Sequence, residues 1–228
     1  MLASPRLGWD AARVLPDPHA LSFAPPRLDR EIDLETILAR APRGATTKGV
    51  AIKAALDRVH ARPDLAEWTD ERVLAEAGVP AHRPGLLQDT PWSNYVRVCV
   101  FVAGLLRGSD RLAEGLRDVG VDMYKAFGET LVGRMLFGTL GRNFARVLIM
   151  GPNAWRVCTS FGEVRAEQQP GQHVRYTFTD YPVEMVETAF VGMIEGACAW
   201  HGIEAELLVA EADSRTMVID IVWRYIGS

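Results

Sequence analysis

Apolar residues recur with a helical period from Leu34 to about Trp155, and with a strand period through much of the chain beyond it. Leu34, Ile37 and Leu38 fall at i, i+3 and i+4, and the run stops near Pro42 and Gly44, which predicts a short helix. Val50, Ala51, Ala54, Ala55 and Val59 share the face of a second helix, capped by Thr46 or Thr47 and ended by Arg62-Pro63. A weaker helical patch over Asp70–Ala77 closes at Gly78 and Pro80. Pro91 then stands in the favoured first-turn position of a helix reaching Leu106, hydrophobic nearly all round and so expected at the centre of the core. Asp110 is placed to cap an amphipathic segment that turns Leu112, Leu116 and Val119 inward. Over 121–150 the spacing stays helical, but Gly128, Gly133, Gly138 and Gly141 interrupt it, and a break is expected near Gly138–Arg142.

The period then falls to two. Glu163–Glu167 and His173–Thr179 flank the turn Gln168-Gln169-Pro170-Gly171, and Tyr176 and Phe178 alternate toward a core. Asp180 and Pro182 open a long helix, Val183–His201, which Gly202 ends. Ile203–Ala210 and Arg215–Tyr225 pair across Glu211-Ala212-Asp213-Ser214. The product is an α+β fold with N-terminal helices packed on a roughly four-stranded antiparallel sheet, in the order helices-β-β-α-β-β. An apolar cavity fits between the layers. Residues 1–30, rich in proline, read as an arm packed through Trp9, Leu15 and Phe23, and residues 31–228 as a single ligand-binding-like domain.

Composition narrows the function classes. With 48% hydrophobic and 24% charged residues among 228, the chain is globular. No run approaches the ~20 apolar residues that span a bilayer, and the N-terminus lacks a signal-peptide core, so no membrane insertion and a cytoplasmic location are expected. Cys99, Cys158 and Cys198 are an odd count in apolar surroundings, which reads as buried thiols. A net charge of −4 argues against nucleic acid, and the arginines of the stretch Arg107–Arg117 alternate with carboxylates as on a solvated helix face.

Nucleotide-binding, zincin and nucleophile-elbow signatures are all absent from the sequence, and no catalytic residue, metal site or cofactor is assigned. Cys198 and His201, at i and i+3, share a helix face, but no second ligand pair matches them. Gly192 and Gly196 allow close contact along their helix, read first as packing on the sheet and otherwise as a dimer seam. Tyr124, Phe127, Trp155, Phe190, Trp200 and Trp223 are candidate ligand-lining aromatics, with filled core as the alternative. Glu184 and Glu187 suit a helix N-terminus, whereas Glu195 sits among apolar neighbours and needs a partner, for which Arg134 is a candidate.

The succession Gly133-Arg134, Gly141-Arg142-Asn143-Phe144, Gly151-Pro152-Asn153-Ala154-Trp155, Val191-Gly192-Met193-Ile194-Glu195-Gly196-Ala197 and Val222-Trp223 resembles a family of uncharacterised proteins expanded in myxobacteria. Ala45-Thr46-Thr47-Lys48-Gly49-Val50 fits that family's opening segment. More distantly, the glycine-bearing helix and terminal hairpin are similar to the fold of haem-based nitric-oxide sensors, vinyl-reductase-type small-molecule-binding domains and transport-particle subunits. That resemblance implies a ligand-binding role but carries haem poorly. The sensors' Tyr-x-Ser-x-Arg motif is missing, while His60 and His201 lie at helix ends and His173 in a strand. The expected function is a non-enzymatic small-molecule-binding or sensory domain for a small apolar ligand. The alternative is an interaction scaffold, engaging a protein partner or dimerising through the Gly192–Gly196 helix or a sheet edge.

Overall fold

The computed structural model describes residues 21–131, 133–135 and 143–226. Helix α1 (Leu34–Arg40) starts where the Asp33 carboxylate accepts from the Glu35 amide. Strand β1 (Thr46–Lys48) pairs antiparallel with β2 (Asp89–Pro91), and between them lie α2 (Val50–His60) and α3 (Asp70–Glu76), the latter capped by Thr69. Helices α4 (Trp92–Arg107), α5 (Leu112–Gly128) and α6 (Phe144–Cys158) follow.

Two local expectations are corrected. Thr46 and Thr47 are strand residues, not caps; Gly49 holds the N-cap position of α2, because the threonines are drawn into pairing with Thr90 and Pro91. Asp110 caps nothing: Arg111 takes the position before α5, with no side-chain cap. Helix α5 runs unbroken from Leu112 to Gly128, and the break expected at Gly138–Arg142 lies outside the described residues, as do Trp9 and Leu15 of the arm.

Strands β3 (Glu163–Gln169), β4 (His173–Thr179), β5 (Ile203–Asp213) and β6 (Thr216–Tyr225) form one antiparallel sheet in the order β3-β4-β6-β5. The expected four-stranded sheet is present, joined by the two-stranded ladder β1-β2 that periodicity over three residues cannot reveal. The last hairpin is longer than expected, since β5 continues to Asp213 through an irregular register near Glu211. Val174, Tyr176 and Phe178 point into the core, as the alternation requires. Ala24 bridges to Val209 of β5 and the Phe23 ring lies under Arg175, so Phe23 and Ala24 lie against the sheet.

Between β4 and β5 the chain forms α7 (Val183–Met185), a π-helical segment (Val186–Phe190) and α8 (Val191–His201), closed by Gly202 in the left-handed conformation. The glycine face of α8 meets a helix, which corrects the expectation of a sheet contact or dimer seam. A Cβ on Gly192 would lie 2.1 Å from the Arg117 carbonyl oxygen, and one on Gly196 2.0 Å from that of Val121, both on α5. Gly120 on α5 returns the fit against Ala189.

Candidate functional site

A cavity of about 170 Å³ lies where α5, α6 and the α7–α8 helix meet, with Tyr176 of β4 and the start of α2 completing its wall. On α5, Met123, Tyr124 and Phe127 face it at helical spacing; on α6 the stripe Val147, Gly151, Ala154 and Cys158 does the same. Met185, Ala189, Met193 and Ala197 supply a third wall at intervals of four residues.

The structure brings together four of the six candidate aromatics, Tyr124, Phe127, Trp155 and Phe190. Trp200 is 56% exposed, because it lies two turns beyond Met193 and past the end of the cavity. Trp223 is buried at the end of the sheet, its ring 5.5 Å from Phe144, and does not reach the cavity. Sequence reasoning missed the methionines and Tyr176 and Tyr181. The four-residue recurrence from Met185 to Ala197 was the available signal for the methionine wall.

No charged or imidazole side chain lines this cavity among the described residues. Most of its hydroxyls are engaged within the protein. The Tyr181 hydroxyl accepts from Trp92 Nε1 at 3.0 Å, Thr47 Oγ1 donates to the Cys158 carbonyl at 3.0 Å, and Tyr124 Oη lies 2.7 Å from His201 Nε2. The Tyr176 hydroxyl donates to the Leu148 carbonyl. Pro152 has no amide hydrogen, so the Leu148 oxygen four residues earlier is left without its helical donor, and Tyr176 supplies one. Gly151 makes room, since a Cβ there would lie 2.3 Å from the Tyr176 hydroxyl.

Burial sets the protonation of these groups. It pushes the Cys158 thiol up to about 11 and raises the phenols of Tyr124, Tyr176 and Tyr181. Cys198 is likewise pushed up to about 12, and burial lowers His201, so the pair Cys198/His201 is a thiol beside a neutral imidazole bonded to Tyr124. It is not an activated nucleophile.

The carboxylates of the long helix face away from the cavity into an ionic clamp. Arg40 holds Glu184 at 2.7 Å, and Glu187, its side chain 2% exposed, accepts from the Arg27 amide at 2.9 Å and from the Arg30 guanidinium. Arg30 also reaches Glu211 on β5 at 3.0 Å. Glu184 and Glu187 stand in the first turns of their segments, as expected, and these arginines are partners added to that placement. Glu195 is paired with Arg117, not Arg134, at 2.7 Å across the α5–α8 contact, and it is about one third exposed.

A profile for DUF2378, described as a protein of unknown function, matches residues 41–224. The chain belongs to the DUF2378 family. No curated protein matches it in sequence. In fold, this DUF2378 chain is similar to an H-NOX protein from S. oneidensis in the Fe(II) ligation state, with TM-score 0.63 and 12% identity over 78% of this chain and 96% of the other. It is similar also to an H-NOX domain from Shewanella oneidensis in the Fe(II)CO state, with TM-score 0.61 and 11% identity over 78% of this chain and 98% of that one. An oxygen-binding H-NOX domain related to soluble guanylate cyclases gives TM-score 0.59 and 17% identity over 78% and 95%. At these identities the likeness is one of fold.

Proposed function

We propose that this DUF2378 protein is a non-enzymatic, cytoplasmic small-molecule-binding or sensory domain, formed by residues 31–228, whose ligand occupies the apolar cavity. The cavity itself carries the reading. A void in a packed core forfeits roughly 24 cal/mol per Å³, so 170 Å³ represents on the order of 4 kcal/mol as an upper bound for a cavity partly open to solvent. A fold that keeps such a space forgoes stability there, as ligand sites do. Tyr124, Phe127, Trp155 and Phe190 are the proposed contacts. Free thiols at Cys99, Cys158 and Cys198 support a reducing compartment.

The H-NOX likeness raises haem, and the residues present do not fit it. Among the described residues no imidazole lines the cavity to bind iron, the Cys158 thiol is held protonated, and no arginine or lysine lines it to receive propionates. Pockets for drug-sized ligands measure about 300–1,000 Å³, and a macrocycle needs no less. The scaffold alternative loses its main support, because α5 already fills the glycine face of α8.

Native mass spectrometry of the full chain as purified, beside an Ala154→Phe variant that fills the cavity, tests the reading. A mass adduct in the wild type that the variant lacks is expected. Identical bare masses, together with no stabilisation of either protein by added apolar compounds, would overturn it.

A further inference from the structure

Four of the chain's seven methionines, Met123, Met150, Met185 and Met193, line this single cavity. They come from α5, α6, α7 and α8, so thioethers stand on the three main helical walls, while α2 and α4 add Val50, Ala51 and Tyr95. Methionine is unbranched and polarisable; it repacks readily and makes favourable contacts with aromatic ring edges. The hydroxyls of Thr47, Tyr95, Tyr124, Tyr176 and Tyr181 are engaged by internal partners, and among the described residues no charged side chain lines the space. A ligand with an ionised or strongly hydrogen-bonding group would lose its hydration there and gain nothing in return. The volume, about 170 Å³, is close to that of cavities of ~150 Å³ that stay dry and bind benzene or xenon.

Resting on the reading that the cavity is the ligand site, we infer that it selects an uncharged, ring-sized apolar molecule held without a hydrogen bond. The methionine walls move to admit a second fused ring. Trp155 and Phe190 are the rigid surfaces against which that ring packs, and the thioethers are the adjustable ones. Breadth of ligand size is therefore determined by the methionines.

The experiment uses the full chain labelled with ¹³C at the methionine methyls and titrated with benzene, naphthalene and octanoate. Met135, exposed, and Met217, buried but outside the cavity lining, are internal controls. Benzene and naphthalene are expected to shift the four cavity methyls and leave the controls in place, while octanoate shifts none. Leucine in place of methionine keeps volume but removes sulfur and flexibility, so Met185→Leu/Met193→Leu should weaken naphthalene about tenfold and benzene less than about threefold. Met123→Leu/Met150→Leu, on the facing walls, repeats the test should the first variant fail to fold. Equal naphthalene binding by wild type and both variants would overturn the role of the methionines and leave the cavity as a ligand site. Binding of octanoate in preference to the hydrocarbons would overturn the ligand class while sparing the site. If no probe moves the cavity methyls, both the inference and the proposed function fail.

Discussion

Pro152 shows how one residue type determines its surroundings. Its missing amide hydrogen orphans the Leu148 carbonyl, Gly151 clears a path, and the Tyr176 hydroxyl comes from β4 to fill the role. Tyr176→Phe should therefore leave a buried carbonyl unsatisfied and cost about 1–3 kcal/mol, a fall of several degrees in Tm at roughly 2–4 °C per kcal/mol. An unchanged melting curve would show that the carbonyl finds another donor. A second residue-scale case is Gly196. Its added methyl would meet the backbone of Val121 at 2.0 Å, where no flexible side chain can yield. Overpacking of about 1–3 kcal/mol outweighs the ~1 kcal/mol helix-propensity gain of alanine, and against backbone the upper end applies. Gly196→Ala is expected to melt several degrees below wild type; a raised Tm would mean that α5 and α8 separate at little cost. The spacing of Gly192 and Gly196 announced a close approach in the sequence. The identity of the partner did not, because it is brought there by folding over a long chain separation.

Among elements, the helices and hairpins were legible because they follow local rules: periodicity, prolines at helix starts, Pro-Gly at a turn, glycine at a helix end. What escaped is non-local. The three-residue ladder β1-β2 depends on pairing across α2 and α3, and the π-helical segment Val186–Phe190 depends on what clasps it. That segment turns Ala189 and Phe190 toward the cavity and Glu187 toward Arg27 and Arg30. Burial alone would raise the Glu187 carboxyl, but hydrogen bonds from the Arg27 amide and Arg30, with the Arg30 charge, prevail and hold it below the ordinary carboxylate range. A folded-state value below the unfolded one stabilises the protein above the unfolded value, about 4.3, and that contribution is lost as pH falls through the folded one. Glu187→Gln should cost about 3 kcal/mol at neutral pH, the low end for a broken buried pair because Arg27 can turn to solvent. Its Tm should also fall less steeply than wild type below pH 4.5. Parallel acid profiles for the two proteins would show that Glu187 is not a group whose protonation weakens the fold.

For the whole molecule, the layers and their antiparallel sheet followed from the order of periodicities, whereas the cavity followed only in part. Tyr124, Phe127, Trp155 and Phe190 were marked by being large aromatics on amphipathic elements. Trp200 and Trp223 carried the same mark and differ only in how far along helix or strand they lie, a distance that periodicity does not measure. The methionines were overlooked because they look like ordinary core until three helices bring them around one space. This arrangement sets stability against binding, and Ala154 on α6 is where the two can be separated. Ala154→Phe places a ring in the void. Recovering part of the cavity penalty should raise the unfolding free energy by about 1–2 kcal/mol, provided that the ring enters in a relaxed rotamer. Stabilisation by benzene should disappear in the same variant, since a ligand that binds only the folded protein raises Tm only while its site is open. The two readouts move in opposite directions if the space is a ligand site that the introduced ring takes over. A variant that is destabilised and still responds to benzene would place the void elsewhere and remove the physical basis for a binding role.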